Sequence, residues 1–585
     1  MKKRLTLALL ILTSLFTLQF PAAAQSTAVR QKVVAERVAA AADSKTSSPV
    51  TAEKMEADMA EALTVIQENY VSGKQLDYNE LFKSSIESML HQLDPHSNYF
   101  DAKEYAEFRT EQNSRYFGIG ATIGDLRDLG AGGSDSVKLA TYIKATFEEA
   151  PANRAGLRYG DKIVDVNGTS MIGKPFTDVR NFLRGPRGTV AKITVERYDT
   201  KKLETVEIIR DAVAQPSIPE AYMLRPGVGY IAMTGGFNQT TYGEFVDGYK
   251  KLKEQGMQQL VLDLRSNGGG LVRQATQVAN TFLNSEQIIF TQKGRIRGSY
   301  DVARSDNKDP EQMPMVVLVN RGTASASEIL AGALQDHDRA LIVGETTFGK
   351  GLVQNPFNLD YGSMVLLTIA KYETPSGRLI QRDYSNGDLY SYYNMGGTLH
   401  DEKTAGTTGA ESKTDTGRPV YSGGGITPDE PIKAALLTNE QVQIRTKLQD
   451  PVFAFSLDLV YGKVPGFENY RVNNPLDYLG DVKATDFPVN DALYQAFKKY
   501  AVDKYKLVPA QVDKEHDYVG RALRTELATA TYGMYTSYQV GNEFDNQLKK
   551  ALESLPRAKD LAQKAADAWK SKPKSQTTAL DGTQK

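Results

Sequence analysis

Two short and almost continuous apolar runs, Gln259–Leu264 and Met315–Val319, constrain the fold of this chain more than any other feature. Such runs are typical of strands that are buried on both faces, as in a parallel sheet covered by helices. Apolar residues at helical spacing lie around them and predict helices over Tyr242–Gln255, Arg273–Leu283 and Ser325–Asp336. The alternation of strands and helices predicts an α/β core.

We place this core at residues 214–438, with a surface insertion at residues 385–416, where Gly, Ser, Thr and Tyr are frequent. Short strands with glycine punctuation precede the core, and helical patterns lie at both ends of the chain. The predicted order is a helical region at 51–112, a strand-rich domain at 113–213, the core, a second helical region at 439–570 and a flexible tail at 571–585. The fold class is therefore multidomain, with α/β and α+β parts.

The first residues have the pattern of an export signal. The basic start Lys2–Arg4 precedes the apolar run Leu5–Phe16, and Ala22–Ala24 offers a small-residue cleavage site. We predict a signal peptide at residues 1–24 and a linker at residues 25–50. The chain has no cysteine, so neither disulfides nor a lipid-modified N-terminal cysteine are available. These features predict a protein of the bacterial periplasm.

The composition argues against several classes of function. Basic and acidic residues number 70 and 71, which gives no electrostatic basis for binding nucleic acid or an anionic membrane. No stretch after the signal peptide is long and apolar enough to cross a bilayer, so we expect no stable membrane insertion. The five histidines lack the spacing of a zinc site, and we expect neither a metal nor a cofactor. A triad of serine, histidine and aspartate stays open on spacing alone.

A serine is predicted at the junction between a strand and a helix. Ser325 follows the apolar run Met315–Val319 and begins the sequence Ser-Ala-Ser-Glu, which ends at Glu328. Unpaired backbone N–H groups at a helix N-terminus favour developing negative charge, so Ser325 is a candidate nucleophile and the N–H of Ala326 a candidate oxyanion donor. The same four residues match a capping box, which is a purely structural alternative. Ser327 is a competing nucleophile that we expect to be less exposed.

Lys350 lies 25 residues after Ser325, between two glycines. A lysine acts as a base only if burial or a neighbouring cation lowers its pKa. On a continuous strand Lys350 and Gln354 would face the same way, so Gln354 could orient the amine. The alternatives are a solvated lysine in a glycine turn and a phosphate loop, because residues 344–350 match G-x-x-x-x-G-K. The phosphate loop is disfavoured because Gly351 stands where it needs a hydroxyl, and the following segment looks extended.

A glycine-rich turn is predicted next to the central strand. The segment Leu262–Gly270 is an apolar strand that runs into three glycines, Gly268, Gly269 and Gly270. Successive backbone N–H groups in such a turn can bind an anion, so this is the best candidate for a second oxyanion donor. The structural alternative is an ordinary tight turn between a strand and a helix.

Taken together, these motifs resemble the carboxyl-terminal processing, or tail-specific, serine proteases of the bacterial envelope type. No single motif is decisive, but the ordered set is specific. One departure is Thr323, in a block where the family often has serine. The similarity runs in order through Leu93–Tyr99, Phe117–Ile123, Ala155–Leu157, Asn167–Gly168, Arg184–Thr189, Asp263–Gly270, Ala324–Glu328, Thr347–Gln354, Thr374–Arg378, Ile380–Gln381 and Gly424–Asp429.

The resemblance implies a PDZ domain at residues 113–213, inserted before a Ser-Lys protease core. It implies Ser325 as the nucleophile, Lys350 as the general base and Gln354 as the residue that orients the base. It also implies that the backbone N–H groups of Gly270 and Ala326 donate to the oxyanion. It also implies a loop that receives the C-terminus of a peptide, formed by Phe117, Gly118, Ile119 and Gly120.

The function implied by this resemblance is an ATP-independent serine endopeptidase that acts on envelope polypeptides recognised by their C-termini. The alternative is a non-catalytic PDZ-containing protein that binds peptides or serves as an adaptor. A degenerate relative of that kind would be expected to have lost the set Ser325, Lys350 and Gln354, all of which are present. The expected partners are protein and peptide substrates. A regulatory adaptor and homo-oligomers through the C-terminal helices stay open.

Overall fold

The computed structural model describes residues 51–571, except 73–75, 129–137, 297, 386, 388, 395–408 and 473–475. The predicted signal peptide, the linker and the tail from residue 572 lie outside the described residues, as do residues 395–408 of the predicted insertion. The chain divides into two compact units, Met1–Ser84 and Ser85–Lys585. No helix within the described ranges combines the length and the apolar composition needed to span a membrane.

The helical pattern predicted for residues 51–112 is present in the structure. It forms the helices Ala52–Asn69, Tyr78–His91 and Ala102–Gln112, with the short strand Asn98–Phe100 between the last two. Within the first unit, no residue of Ala52–Asn69 is buried.

The centre of the second unit is a six-stranded sheet, which we call the core sheet. Its strands are, in spatial order, Glu220–Arg225, Val228–Ala232, Gln259–Asp263, Met315–Val319, Leu341–Gly344 and Glu430–Pro431. All neighbours are parallel except the first pair. Every residue of Met315–Val319 is buried, as expected for a strand covered on both faces. The α/β prediction is therefore confirmed.

Helices cover one face of the core sheet. The helices Thr241–Glu254, Val272–Phe282 and Ala326–Asp336 agree with the three predicted ones to within a residue or two. Their apolar side chains pack with the strands in the largest hydrophobic cluster, which includes Phe245, Phe282 and Leu330. This packing anchors the loops that begin and end these helices.

A second, antiparallel sheet flanks the core. Its strands are Asn98–Phe100, Met364–Glu373, Ile288–Gly294 and Asp301–Arg304 in spatial order, and Leu352–Asn358 also pairs with Met364–Glu373. The described part of the predicted insertion adds the short helix Leu389–Tyr393 and the strand Glu411–Lys413, which pairs with Pro419–Tyr421 just after the insertion.

The predicted PDZ region folds around its own antiparallel sheet. Its strands are Ala121–Asp128, Lys138–Thr146, Lys162–Val166, Val190–Glu196 and Leu203–Ile209 in spatial order, with Thr169–Ser170 beside the third. The helices Pro151–Arg154 and Phe176–Leu183 belong to it, and Arg115–Gly118 pairs with Asp211–Ala214 where the chain enters and leaves. We call Ala121–Asp128 the edge strand and Phe176–Leu183 the groove helix.

The helical region after residue 438 has two separate packing partners. Its helices are Asn439–Val460, Asp491–Tyr505, Pro509–Lys514, His516–Tyr532, Met534–Asn542 and Asn546–Ser571, with a 3-10 turn at Glu468–Tyr470. Leu448, Phe453 and Leu523 of the earlier helices share a core with Tyr142 and Tyr159 of the PDZ region.

The last helix, Asn546–Ser571, packs elsewhere. Its residues Leu548, Ala551 and Leu555 lie in one cluster with Val261 and Leu318 of the core sheet. The last helix therefore covers the sheet face that the other three helices leave open. The single helical region predicted for 439–570 therefore divides by packing partner into two parts, one that packs on the PDZ region and one that packs on the α/β core.

Candidate active site

The carboxyl ends of the parallel strands converge at one edge of the core sheet. Asp263 pairs in register with Leu318, and Val319 pairs with Gly344, so three neighbouring strands end at the same level. The loops that follow these strands carry the predicted glycine turn, serine and lysine. In open α/β sheets this edge is the usual place for a ligand or an active site.

Ser325 lies in the turn between Met315–Val319 and the helix that begins at Ala326. Its backbone has φ 58° and ψ −119°, a sparsely populated conformation for a residue with a side chain. Sharp and strained turns from a strand to a helix are known to expose nucleophilic serines. The Ser325 side chain is half-buried, whereas Ser327 is fully buried and donates a hydrogen bond to the carbonyl of Asn267 at 3.0 Å.

Glu328 connects the serine turn to the lysine loop. Its carboxylate is fully buried, and one oxygen, Oε2, accepts hydrogen bonds from the backbone N–H groups of Ser325 and Lys350, both at 2.8 Å. The other oxygen accepts from the Thr347 hydroxyl at 2.5 Å and the Gly349 N–H at 2.7 Å. Burial raises the pKa of Glu328, and these four hydrogen bonds oppose that shift. A single side chain thus fixes both predicted catalytic segments.

The glycine turn lies directly against the serine. A Cβ atom added to Gly269 would lie 2.8 Å from Ser325 Cβ and 3.0 Å from the backbone nitrogen of Ala326. The turn is held by Asn267, whose side-chain oxygen accepts from the Gly269 N–H at 2.9 Å and whose carbonyl accepts from the Ala324 N–H at 2.9 Å. In the loops and turns that the structure describes, the N–H groups of Gly270 and Ala326 donate no hydrogen bond to a backbone carbonyl.

Lys350 is half-buried, and its amine donates a hydrogen bond to the side-chain oxygen of Gln354 at 2.8 Å. Burial lowers the pKa of Lys350, against the opposing charges of Asp94 and Glu328. The contact with Gln354 does not arise from a continuous strand, as the sequence argument assumed. The strand begins at Leu352, and its pairing register shifts between Val353 and Gln354.

The segment Asp94–Ser97 brings a third part of the chain to the lysine. The His96 carbonyl accepts a hydrogen bond from the Gln354 amide at 2.6 Å, which fixes the amide oxygen toward Lys350. Asp94 holds this segment by accepting from the N–H groups of His96 and Ser97 at 2.8 and 2.9 Å. Burial, followed by the charge of Lys350, lowers the pKa of His96 to about 3, so its ring is neutral at neutral pH.

Aromatic side chains close this side of the site. The His96 ring bonds to the Tyr392 hydroxyl at 2.7 Å, and the rings of Tyr392 and Tyr393 lie 5.4 and 5.8 Å from it. Phe348 packs edge-on against Tyr392 at 5.6 Å. Tyr392 is only 3% exposed, so the predicted surface insertion contributes a buried wall next to the lysine loop.

Two alternatives from the sequence find no support in the local structure. Residues 344–350 do not open a helix, because the strand Leu352–Asn358 follows them. His337 caps the helix Ala326–Asp336 and bonds to Asp415 and to the Ile288 carbonyl, at 2.8 and 2.7 Å. These contacts make His337 part of the packing behind the serine helix.

Of the predicted peptide loop, Phe117 and Gly118 end the strand Arg115–Gly118, and Ile119 and Gly120 connect it to the edge strand. Gly120 has φ 75°, and a Cβ there would lie 2.3 Å from Ala150 Cβ, so only glycine fits. A groove of about 190 Å³ begins at this loop and is bounded by the edge strand and the groove helix. Its lining comprises Tyr116, Ile119, Ala121, Ile123, Phe176, Arg180, Leu183 and Arg184.

Comparisons with known proteins identify the family of this chain. The model of peptidase family S41 matches residues 227–390, and a PDZ-domain model matches residues 143–197. A carboxy-terminal-processing protease of Bartonella bacilliformis is 35% identical over 312 residues, which cover 52% of this chain and 68% of that protein. The chain belongs to peptidase family S41. It is a serine peptidase of the carboxy-terminal-processing kind and carries a PDZ domain.

Other relatives match this S41 chain over different extents. A protein of Staphylococcus epidermidis named probable CtpA-like serine protease is 31% identical, covering 52% of this chain and 60% of its own. Among solved structures, the photosystem II D1 C-terminal processing protease is 31% identical, covering 57% of this chain and 90% of that one, with a TM-score of 0.31. The PDZ domain of a Vibrio cholerae carboxy-terminal protease, solved with a peptide, is 26% identical, covering 17% and 97%, with a TM-score of 0.14.

Sequence reasoning missed two parts of this site. Glu328 was interpreted only as the end of a capping box, although its partners include three groups of the lysine loop. His96 was considered only as one of the five histidines and as part of the motif Leu93–Tyr99, although its carbonyl orients Gln354 across 258 positions of sequence. A usable signal for Glu328 was an acidic residue in a strongly apolar helix, because buried carboxylates require several donors.

Proposed function

We propose that this S41 peptidase is an ATP-independent endopeptidase that cleaves polypeptides after its PDZ domain has captured their C-termini. The observation that carries the proposal is the shared carboxylate oxygen of Glu328. It bonds to the backbones of Ser325 and Lys350 at the edge of the sheet, while burial favours the neutral lysine amine.

The proposed reaction is acyl transfer through the serine. Neutral Lys350 accepts the hydroxyl proton of Ser325 while the serine oxygen bonds to the substrate carbonyl carbon. The N–H groups of Gly270 and Ala326 stabilise the resulting oxyanion. The lysine then returns the proton to the leaving amine as the peptide bond breaks. Water hydrolyses the ester in the same way, with Lys350 as its base, and Gln354 keeps the amine in position.

Capture of the chain end follows from the geometry of the PDZ groove. The edge strand is the last strand of its sheet, so a peptide can pair with it as an additional strand. Within the described residues, the N–H groups of Ile119 and Gly120 donate to no backbone carbonyl, and we assign them to the terminal carboxylate. Phe117 and Gly118 are the last residues of the strand that leads into this loop.

The test measures cleavage of a quenched fluorescent protein substrate without ATP, by the wild type and by Ser325→Ala and Lys350→Ala. We expect both variants to lose at least about 1,000-fold in kcat, as when one member of a catalytic unit is removed. The exposed Lys371→Ala, on a strand beside the site, serves as the matched control and should keep full activity. Equal activity of Lys350→Ala and the wild type would refute the mechanism.

We also propose that the enzyme works in the bacterial periplasm. The support is the basic start, the apolar run and the small-residue cleavage site of residues 1–24. Cell fractionation should recover a chain that begins at Gln25 with the periplasmic proteins. Recovery of an uncleaved chain in the cytoplasm would contradict this proposal.

A further inference from the structure

The PDZ groove carries two arginines on one wall, and their charges suggest which chain ends it prefers. Arg180 lies on the groove helix and Arg184 is the residue that follows it, and both line the groove. Both residues are exposed. No carboxylate of the described residues forms an ion pair with either guanidinium, whereas the neighbouring Arg187 pairs with Asp211 at 2.7 Å. The groove therefore presents two positive charges that an acidic ligand would neutralise.

The groove helix runs antiparallel to the edge strand, which fixes the position of each arginine along the groove. The helix begins beside the far part of the strand, where the Phe176 N–H donates to Asp125 at 3.0 Å. It ends beside the loop, where Arg184 Cγ lies 3.7 Å from the Cβ position of Gly118 and the guanidinium stacks 4.9 Å from the Tyr116 ring centre. Arg184 is therefore at the end of the groove that receives the carboxylate.

Arg180 is one helical turn further from that end. Four residues of helix advance about 6 Å. In a peptide that pairs with the edge strand, two residues advance about 6.8 Å, and side chains two apart point to the same face. The side chain that faces Arg180 is thus that of the antepenultimate residue, on the same side as the terminal one. The terminal side chain lies among Ile119, Ile123 and Leu183, which form an apolar site.

We propose that the groove selects polypeptide ends with an acidic antepenultimate residue. Arg184 pairs with the terminal carboxylate, and Arg180 pairs with the acidic side chain. This inference rests on the proposed capture of chain ends by the PDZ domain, and it adds the charge pattern of the tail. Both pairs form at the protein surface, so each contributes a modest factor in affinity and is weakened by salt.

The test uses the full chain with Ser325→Ala, so that peptides are bound without cleavage. Fluorescent decapeptides that end in alanine and differ only in an antepenultimate Asp, Asn or Lys are titrated by anisotropy at low salt, each with a free and an amidated C-terminus. We expect the Asp peptide to bind about five- to tenfold more tightly than the Lys peptide. Arg180→Glu should reverse this order, and Arg187→Ala, the matched control, should leave it unchanged.

The outcomes separate the two levels of the proposal. Equal binding of free and amidated peptides would overturn capture of the chain end itself. Preference for the free carboxylate, with Asp and Lys peptides bound equally by the wild type, would overturn the charge selection alone. Arg184→Ala should reduce the ratio of affinities for the free and the amidated peptide about fivefold. An unchanged ratio would show that Arg184 does not pair with the terminal carboxylate. Thermal unfolding of each variant verifies that it is folded.

Discussion

Replacing Glu328 with glutamine should separate the positioning of the catalytic groups from their chemistry. The carboxylate accepts four hydrogen bonds, two on each oxygen. A glutamine has nearly the same size but only one acceptor oxygen, and its NH₂ group would face either two backbone N–H groups or one N–H group and the Thr347 hydroxyl, which can turn to accept. Whichever way the amide is oriented, the lysine loop loses at least one of its bonds, to the N–H of either Lys350 or Gly349.

The magnitude follows from those lost bonds. Each hydrogen bond to a charged acceptor contributes about 1.5–3 kcal/mol, so losing one or two lowers the free energy of unfolding by about 1.5–6 kcal/mol. The catalytic effect has a different cause, since the backbones of Ser325 and Lys350 share one oxygen of Glu328. A displacement of about 1 Å between the reacting groups costs about 100-fold, and we expect this loss in kcat with little change in KM.

The assay combines urea unfolding with initial rates, measured where each variant is fully folded. Asp429→Asn is the matched control, because this buried carboxyl also accepts hydrogen bonds, from the Ile342 N–H at 2.8 Å and Gln335 at 3.2 Å, and pairs with Arg418. It should lose comparable stability while kcat stays within about threefold. A folded Glu328→Gln enzyme with kcat within threefold of the wild type would refute the reasoning.

The remaining predictions concern the lysine, its partner, the glycine turn and the last helix. Because burial lowers the pKa of Lys350, kcat/KM should rise with pH to a plateau, and a rate that increases toward pH 5 would contradict this. The same shift should make the free energy of unfolding rise with pH between the lowered pKa and 10.5. Gln354→Ala should reduce kcat about tenfold. Gln354→Glu should move the pH profile of kcat/KM to higher pH, because it places a negative charge at the Lys350 amine; an unshifted profile would argue against the contact between residues 350 and 354. Gly269→Ala should reduce kcat at least about 100-fold, because φ of Gly269 is 96° and the new Cβ would lie 2.7 Å from the Ala324 carbonyl oxygen. Near-normal rates would show that the turn can relax. Asp545→Asn removes the 2.5 Å pair with Arg265 and should cost about 1 kcal/mol in urea unfolding, with an unchanged midpoint counting against a stabilising role.

The parts of the fold that the sequence predicts are those with a local signal. The strands Gln259–Asp263 and Met315–Val319 are indicated by consecutive apolar residues. The helix after Ser325 is indicated by apolar residues at helical spacing within eleven residues. The glycines of the turn at 268–270 are adjacent in sequence. Each of these features is determined by neighbours along the chain, so a pattern of a few residues is sufficient to locate it.

The parts that sequence analysis missed depend on distant contacts. Nothing near Gln354 indicates that the His96 carbonyl will orient it, because the two residues are 258 positions apart. The strand expected to carry both Lys350 and Gln354 begins only at Leu352, so Lys350 lies in the loop before it, and where a strand begins depends on its pairing partner. The last helix is amphipathic, which indicates that it buries one face but not which surface it will cover.

The last helix also means that the core sheet is complete only when nearly the whole chain is present. Arg265 at the glycine turn pairs with Asp545, 280 residues later, and the sheet behind it is covered by residues up to Leu561. Translation proceeds from the N-terminus, so a growing chain carries its serine and lysine long before that covering helix exists. Contacts between such distant segments also form slowly. We therefore expect the protease to stay inert until nearly all of the chain has been made and has folded.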